Sequence, residues 1–229
     1  MVQRYVDEPL LLRGFKFDVR WWAVVTSIDP LRAYMLRDGF VKAASSRAYS
    51  IADVDVDKCA HVTNNKVQSA CGGAPPASDV DLARHVRHAA FARQANASAD
   101  VLYAGAQRVL KAALAVGLFS MQTRAACART FQMLALDVVY DAQQTAHLLE
   151  VNLNGYLGLG LLAIPGGRAH FTAMLRLVGA AGYERRGYQG EFEARASSAT
   201  QRGLAWLQDE RDERNVLECT PNVLWERVV

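Results

Sequence analysis

Two neighbouring stretches near the middle of the chain carry the oxygen-bearing side chains with the clearest chemical potential. Asp137 interrupts the apolar run FQMLALDVVY, and the next apolar run ends with Glu150 and Asn152. The runs are rich in Leu and Val and are separated by polar residues 141–145, which predicts an antiparallel hairpin. An even number of residues in the turn would place the three side chains on one sheet face, whereas an odd number would separate them.

Two carboxylates and an amide oxygen are ligands that Mg²⁺ prefers. Magnesium held by so few protein groups usually shares the oxygens of a phosphate substrate, so the pattern implies a phosphorylated ligand. The alternative is that Asp137 and Glu150 are solvent-facing charges on half-exposed strands, as most charged residues are. Spacing alone does not decide between these two interpretations.

A second set of charged residues lies on the predicted strand Phe15–Ile28. Lys16, Asp18 and Arg20 alternate along KFDVR and therefore project from one strand face. Two cations flanking an anion can bind phosphate oxygens or an acyl phosphate, although a solvated strand face gives the same pattern. A turn at Asp29-Pro30 predicts pairing with a following strand that ends at Asp38-Gly39.

Further polar groups follow this hairpin. His61, Thr63 and Asn64 in HVTNN could line a polar pocket or serve only as turn residues. Arg37 lies near the predicted strand end, where a guanidinium could reach a phosphate or remain an ordinary surface group. His85 and His88 have no third metal ligand beside them, and we interpret them as surface residues.

The remaining pattern predicts several further elements. We expect a strand at Val2–Val6, an irregular surface connection over residues 43–65, a loop over Cys71–Ser78, a helix from Ser78, a longer buried helix over Asp100–Met121, a helix around Ala169–Ala181 and a short amphipathic stretch at Ala205–Asp209.

Composition excludes several classes of protein. The 229 residues are 51% hydrophobic and 21% charged, which is typical of a globular chain. A net charge of +3 with scattered basic residues argues against nucleic-acid binding, and no apolar run has the length of a bilayer span. Cys59, Cys71, Cys127 and Cys219 lack Cys-x-x-Cys spacing, which argues against a zinc site or a dense disulfide framework and favours a reducing cytosol.

Taken in order, the motifs VQRY, KFDVR, YMLRDG, HVTN and an Asp followed by LLEVN resemble those of the tubulin-tyrosine-ligase-like family. The resemblance covers about Val2–Asn154. It implies an α+β protein with the ATP-grasp fold, in which antiparallel sheets are flanked by helices. We expect a partial catalytic domain over residues 1–180 and a polar C-terminal tail with a short helix over residues 181–229.

The resemblance also implies roles for individual residues. The hinge residues would contact the adenine, and they are Gln3, Arg4, Tyr5 and Val6. Lys16 and Asp18 would face the nucleotide, and Arg20 would face the transferred phosphoryl group or the acceptor carboxylate. The phosphate and amino-acid pocket would be lined by Arg37, His61, Thr63 and Asn64. The magnesium ions would be held by Asp137, Glu150 and Asn152.

The activity implied by the resemblance is ATP- and Mg²⁺-dependent ligation. A carboxylate of the tubulin C-terminal tail is phosphorylated, and the amine of a free amino acid, glutamate in our first choice, displaces the phosphate. The resemblance further implies a monomer in the cytoplasm that acts on microtubules, with the cilium as one setting, and that binds neither nucleic acid nor membrane.

The chain also departs from the family pattern. It begins at the hinge, without the N-terminal domain and the lysine-bearing glycine loop that cover the phosphates in the family. Asn154-Gly155 stand where Ser and Pro commonly follow the Glu-Val-Asn motif. The chain would then be an N-terminally truncated piece of a longer ligase or a shortened relative. A catalytically inactive tubulin- or microtubule-binding protein and a ligase for other acidic proteins are the alternatives.

Overall fold

The computed structural model describes residues 2–28, 31–44, 46–55, 57–72, 89–117, 131–153, 167–177 and 225–227. The chain divides into two compact units, one formed by Met1–Gly155 with Arg227–Val229 and the other by Tyr156–Glu226. The division expected at residue 180 stays a prediction, because most of the C-terminal tail lies outside the described residues.

The described residues form six strands and five α-helices. The strands are β1 Leu11–Leu12, β2 Phe15–Ile28, β3 Leu31–Ala43, β4 Gln132–Tyr140, β5 Ala146–Leu153 and β6 Trp225–Arg227. The helices are α1 Lys58–His61, α2 Asn65–Ala70, α3 Ala89–Ala95, α4 Ala99–Gly117 and α5 Gly167–Leu177, with a 3₁₀ turn at Ile51–Asp53.

The sheet is built around the long strand β2. Its order is β5-β4-β2-β3-β6, with β1 paired to β2 beside this path. β2 pairs antiparallel with both β3 and β4, and β4 pairs antiparallel with β5. Both predicted hairpins are therefore present, and the α+β class with an antiparallel sheet and flanking helices is confirmed.

Strand β3 does not end at Asp38-Gly39, as the sequence had suggested, but continues to Ala43. The register shifts between the pairs Trp21–Gly39 and Ala23–Met35, so the irregular stretch interrupts the ladder without ending it. A Cβ on Gly39 would lie 2.5 Å from Val19 Cγ1 and 2.9 Å from Trp21 Cε3. Glycine is needed here because these two β2 side chains occupy the space that a Cβ would take.

The hairpin of β4 and β5 contains a β-bulge that changes the register. The turn spans residues 141–145, an odd number, and Val138 pairs with Leu148. Asp137 nevertheless pairs with Glu150, because Leu149 is an extra residue in β5. The expectation that this alignment requires an even number of turn residues was therefore wrong. The turn has an odd number of residues, and the bulge brings Asp137 opposite Glu150.

Helices α3 and α4 contribute to a hydrophobic core on one face of the sheet. Five odd-numbered residues of β2, from Phe17 to Val25 and including Val19 and Trp21, form a buried cluster with Phe91 of α3 and Leu110 of α4. Trp21 Nε1 donates to the Tyr140 hydroxyl at 3.0 Å, and that hydroxyl donates to the Leu102 carbonyl at 2.8 Å. These bonds satisfy the polar atoms of two large buried rings.

The prediction for α4 was partly wrong. The helix buries one side only, while Val101 and Val116 are 45% and 76% exposed. The helix is described as far as Gly117, and the expected end at Met121 lies outside the described residues. No helix in the described parts of the chain combines the length and hydropathy required to cross a bilayer.

Several other expectations meet the structure only in part. Val2–Val6 forms no strand; the backbone pairs only from Pro9, which bridges to Asp141. The connection over residues 43–65 contains the 3₁₀ turn and α1, and α5 occupies part of the range Ala169–Ala181. Some expectations fall outside the described residues. They are the helix start at Ser78, the two histidines His85 and His88, and the amphipathic stretch Ala205–Asp209.

Candidate functional site

The sheet face opposite the α4 core carries a row of charged residues. Arg20 of β2 pairs with Asp137 of β4, which pairs in turn with Glu150 of β5. Paired residues in neighbouring strands share a face, so the three side chains form one row across three strands. Arg20 Nε and Nη2 donate to the two carboxylate oxygens of Asp137 at 2.8 and 2.7 Å, a bidentate ion pair.

A second carboxylate lies beside this row. Asp18 is 1% exposed and Asp137 is 3% exposed, so both anions are removed from water. Lys42 Nζ lies 2.7 Å from Asp18 Oδ1 and 3.0 Å from Asp137 Oδ2. One ammonium therefore bridges the two buried carboxylates and reduces their mutual repulsion.

The two carboxylates differ in their acidity. Burial raises the pKa of Asp18, and the Lys42 ammonium and the Thr63 hydroxyl only partly oppose this shift. Burial also acts on Asp137, but the hydrogen bonds from Arg20 and the charge of Lys42 outweigh it and lower the pKa of Asp137. Asp137 is thus the anion that its partners hold in the ionised form.

Lys16 belongs to a separate chain of hydrogen bonds that links it to Tyr5 and His61. Lys16 Nζ donates to the Tyr5 hydroxyl at 2.8 Å, and that hydroxyl lies 2.6 Å from His61 Nδ1. The ammonium can only donate, so the Tyr5 hydroxyl oxygen accepts this bond from Lys16. Burial raises the pKa of Tyr5 and lowers the pKa of Lys16.

A compact loop brings the HVTN residues to the charged strands. The Thr63 hydroxyl donates to Asp18 Oδ2, and His61 is buried against the Tyr5 hydroxyl. Asn64 is exposed and its side chain accepts from the Lys66 amide, which caps α2. Two residues of the motif thus contact the charged cluster directly, while the third begins the following helix.

The oxygen donors beside Asp137 are of the type that magnesium prefers, and the described residues hold no cluster of three or more His, Cys, Asp or Glu side chains placed to bind a metal. Glu150 lies in the same row, and Asn152 follows two residues later on the same face, opposite Ala135. Asn152 Nδ2 donates to Glu150 Oε1 at 3.0 Å, and this bond leaves the Asn152 carbonyl oxygen out of the pair. Magnesium would therefore meet an amide oxygen and two carboxylates, a set of hard ligands.

The structure brings most of the predicted residues together. The residues on or beside the charged face are Tyr5, Lys16, Asp18, Arg20, His61, Thr63, Asp137, Glu150 and Asn152. Gln3 instead donates to the Leu148 carbonyl at 3.3 Å, and Arg4 is exposed. Val6 is half-buried, and Arg37 is exposed in the irregular part of β3.

Sequence reasoning missed Lys42, Gln68 and the link between Cys59 and Cys71. Lys42 was overlooked because β3 was expected to end before it. Gln68 is a buried amide that donates to the carbonyls of Cys59 and Val62 at 3.1 and 2.7 Å, and no local pattern marks it. Cys59 and Cys71 form a disulfide, which their spacing of twelve residues did not predict.

The chain is similar in sequence to tubulin glycylases and tubulin polyglutamylases. The chain is 27% identical to human tubulin monoglycylase TTLL3 over 66% of its length, and 28% identical to human tubulin polyglutamylase TTLL5 over 67%. It is 41% identical to bovine probable tubulin polyglutamylase TTLL9 over 30% of its length. The matches span only 20%, 13% and 14% of these relatives. The family model described as the tubulin-tyrosine ligase family matches residues 1–156, and the chain therefore belongs to that family.

Proposed function

We propose that this chain contributes the nucleotide and magnesium site of an ATP-dependent ligase that attaches an amino acid to carboxylates of tubulin tails. The observation that carries the proposal is the row Arg20–Asp137–Glu150, with Lys42 bridging to Asp18 and Asn152 beside Glu150. Cations and oxygen ligands lie beside one another there on one sheet face. Such an arrangement can hold a polyphosphate and its divalent ion together.

The proposed reaction has two steps. An oxygen of the acceptor carboxylate forms a bond to the γ-phosphorus of ATP as the bond to ADP breaks, which gives an acyl phosphate. The amine of the free amino acid then attacks the acyl carbon, and inorganic phosphate leaves as the amide bond forms. Magnesium, when bound, would neutralise the charge on the transferring group.

Each protein group has a defined part in this proposal. Lys16 would contact phosphate oxygens, and Asp137, Glu150 and Asn152 would hold the metal. Arg20 uses two of its five N–H donors on Asp137. The other donors would bind the transferred phosphoryl group or the acceptor carboxylate, so Asp137 orients the guanidinium as well as serving as a ligand.

The hinge and loop residues would form the remainder of the pocket. Tyr5 and Val6 would lie against the adenine together with Gln3 and Arg4, and we propose His61, Thr63, Asn64 and Arg37 for the phosphate and amino-acid side. The contacts of Tyr5 with Lys16 and of Thr63 with Asp18 support this grouping, since they connect hinge and loop to the charged strand.

The amino acid that is added is the least constrained part of the proposal. The relatives include a glycylase and polyglutamylases by name, so glutamate and glycine are both candidates. We propose glutamate as the first to test. We propose a monomer in the cytoplasm that associates with microtubules, and the net charge of +3 provides a weak attraction to an acidic tail.

The decisive experiment mixes the 229-residue chain with tubulin, Mg²⁺, ATP and radiolabelled glutamate, glycine or tyrosine in separate reactions. We expect ATP-dependent incorporation of one amino acid, reduced by about a hundredfold in Glu150→Gln. Asp55→Asn, which changes an exposed carboxylate outside the charged row, is the matched control and should retain incorporation.

Two outcomes would contradict the ligase proposal. Binding of Mg·ADP and co-sedimentation with microtubules, without incorporation of any amino acid, would instead identify a non-catalytic binding protein. ATP-dependent labelling of other acidic proteins in preference to tubulin would remove tubulin as the substrate.

A further inference from the structure

The loop that carries His61 and Thr63 is closed by a disulfide. Cys59 lies in α1 and Cys71 follows α2, with their Cα atoms 5.8 Å apart. His61 and Thr63 both lie within the ring that this bond closes. We propose that the Cys59–Cys71 disulfide is a redox switch that sets the position of His61 and Thr63 against the charged strands.

The contacts of the loop explain why this bond matters for the site. Thr63 donates to Asp18 and His61 contacts the Tyr5 hydroxyl, so movement of the loop changes the surroundings of Asp18 and Lys16 together. Within the ring, the two short helices have four and six residues. Helices of this length are not stable by themselves, so the loop depends on its cross-links.

Hydrogen bonds of Gln68 also hold this loop, so we expect reduction of the disulfide to have a partial effect on the loop position. Gln68 bonds to the carbonyls of Cys59 and Val62, and its Oε1 accepts from the amide and hydroxyl of Ser46. None of these bonds involves a cysteine sulfur, so opening the disulfide does not itself break them. Reduction should therefore loosen the loop and lower the occupancy of its native position, but should not unfold it.

Both cysteines of the disulfide are partly exposed. Cys59 and Cys71 are half-buried, in contrast to the buried His61 and Gln68 between them. A dithiol would supply two electrons and two protons: the protein S–S bond breaks to give two thiols, and the dithiol becomes a cyclic disulfide. In a cytosolic protein a disulfide is usually transient or redox-sensing, which is the behaviour proposed here.

The effect on nucleotide binding rests on the proposed function, whereas the effect on the loop does not. The test therefore compares oxidised and dithiothreitol-reduced protein in two measurements. Amide hydrogen exchange within residues 57–72 should accelerate about tenfold on reduction, as protection by local structure is lost. The affinity for Mg·ADP, measured by calorimetry, should fall about tenfold if the competent loop position becomes about one-tenth populated.

Two double variants provide matched controls. Cys59→Ser/Cys71→Ser should reproduce the reduced protein and should no longer respond to dithiothreitol. Cys127→Ser/Cys219→Ser replaces the other two cysteines and should respond as the unmodified chain does. A dithiothreitol response that persists without Cys59 and Cys71 would overturn the proposal.

The outcomes separate the switch from the proposed function. Unchanged exchange within residues 57–72 on reduction, or peptide mapping that finds Cys59 and Cys71 as free thiols in protein purified without reductant, would overturn the switch. Faster exchange with no Mg·ADP binding in either state would support the loop switch and contradict the proposed nucleotide site. Faster exchange with equal Mg·ADP affinity in both states would overturn the coupling between them.

Discussion

At the level of single residues, the site depends on two buried carboxylates that share one ammonium. Lys42 contacts both Asp18 and Asp137, and Arg20 gives Asp137 a second, bidentate partner. The pKa of Asp137 is lowered and that of Asp18 is raised, so the same sheet face holds two carboxylates of different acidity. The better-paired carboxylate is the one adjoining Glu150, where we propose the metal.

Replacing Asp137 by Asn should destabilise the protein strongly. The change removes the common counter-charge of Arg20 and Lys42 on a buried face, and breaking such a pair costs about 3 kcal/mol. Urea unfolding measures this loss. Glu150→Gln, at an exposed position, should change the free energy of unfolding by less than about 0.5 kcal/mol. Equal effects of the two variants would contradict the assignment of Asp137 as the paired centre of the row.

The raised pKa of Asp18 predicts how stability depends on pH. The folded state binds a proton at Asp18 more tightly than the unfolded state does, so this contribution is complete below the unfolded pKa near 3.8 and is lost as pH rises through the folded pKa. The free energy of unfolding of the unmodified chain minus that of Asp18→Asn should therefore fall as pH rises above about 4. Urea titrations between about pH 4 and pH 7 would show it. A difference that rises with pH would contradict the shift.

At the level of elements, two irregularities in the ladder place the functional residues. The extra residue Leu149 aligns Glu150 with Asp137, and the shift at Gly39 allows β3 to continue to Lys42. The sequence predicted both hairpins because apolar strands and turns follow from local residue preferences. It did not predict the two shifts, because register depends on contacts between strands rather than on residues within one strand.

Two single-residue deletions in β5 test whether the register of Asn152 matters for the site. Without Leu149, Glu150 can still pair with Asp137 in a regular ladder, so we expect a loss of about 1 kcal/mol or less. Without Val151, Asn152 moves to the opposite sheet face, and Mg·ADP binding should weaken at least about tenfold. Both residues are exposed and apolar, so they are matched. Equal binding by the two deletion variants would show that the sheet face on which Asn152 lies does not affect the site.

Gly39→Ala tests the close approach of β3 to β2. The new methyl group would meet Val19 and Trp21 at distances that require the backbone to move, which we expect to cost about 2 kcal/mol. Gly105→Ala in α4 is the matched control, since the gain of about 1 kcal/mol in helix propensity offsets its milder crowding against Ala146. Thermal unfolding compares the two. A larger loss for Gly105→Ala would contradict the packing described at Gly39.

At the level of the whole molecule, the site joins segments far apart in the chain. Tyr5, Lys16, His61 and Asp137 come from four separate motifs, yet hydrogen bonds and strand pairing connect them on one face. The sequence indicated the family and most of these residues through the order of its motifs. It could not indicate Lys42, Gln68 or the Cys59–Cys71 bond, because their importance arises only from tertiary contacts.

The central claim is that this face binds a nucleotide through magnesium. Calorimetric titration of the 229-residue chain with ADP, with and without Mg²⁺, tests it most directly. The account predicts binding that requires Mg²⁺ and that weakens at least about tenfold, or about 1.4 kcal/mol, in Glu150→Gln but not in Asp55→Asn. ADP binding that is the same without Mg²⁺, or unchanged in Glu150→Gln, would contradict it.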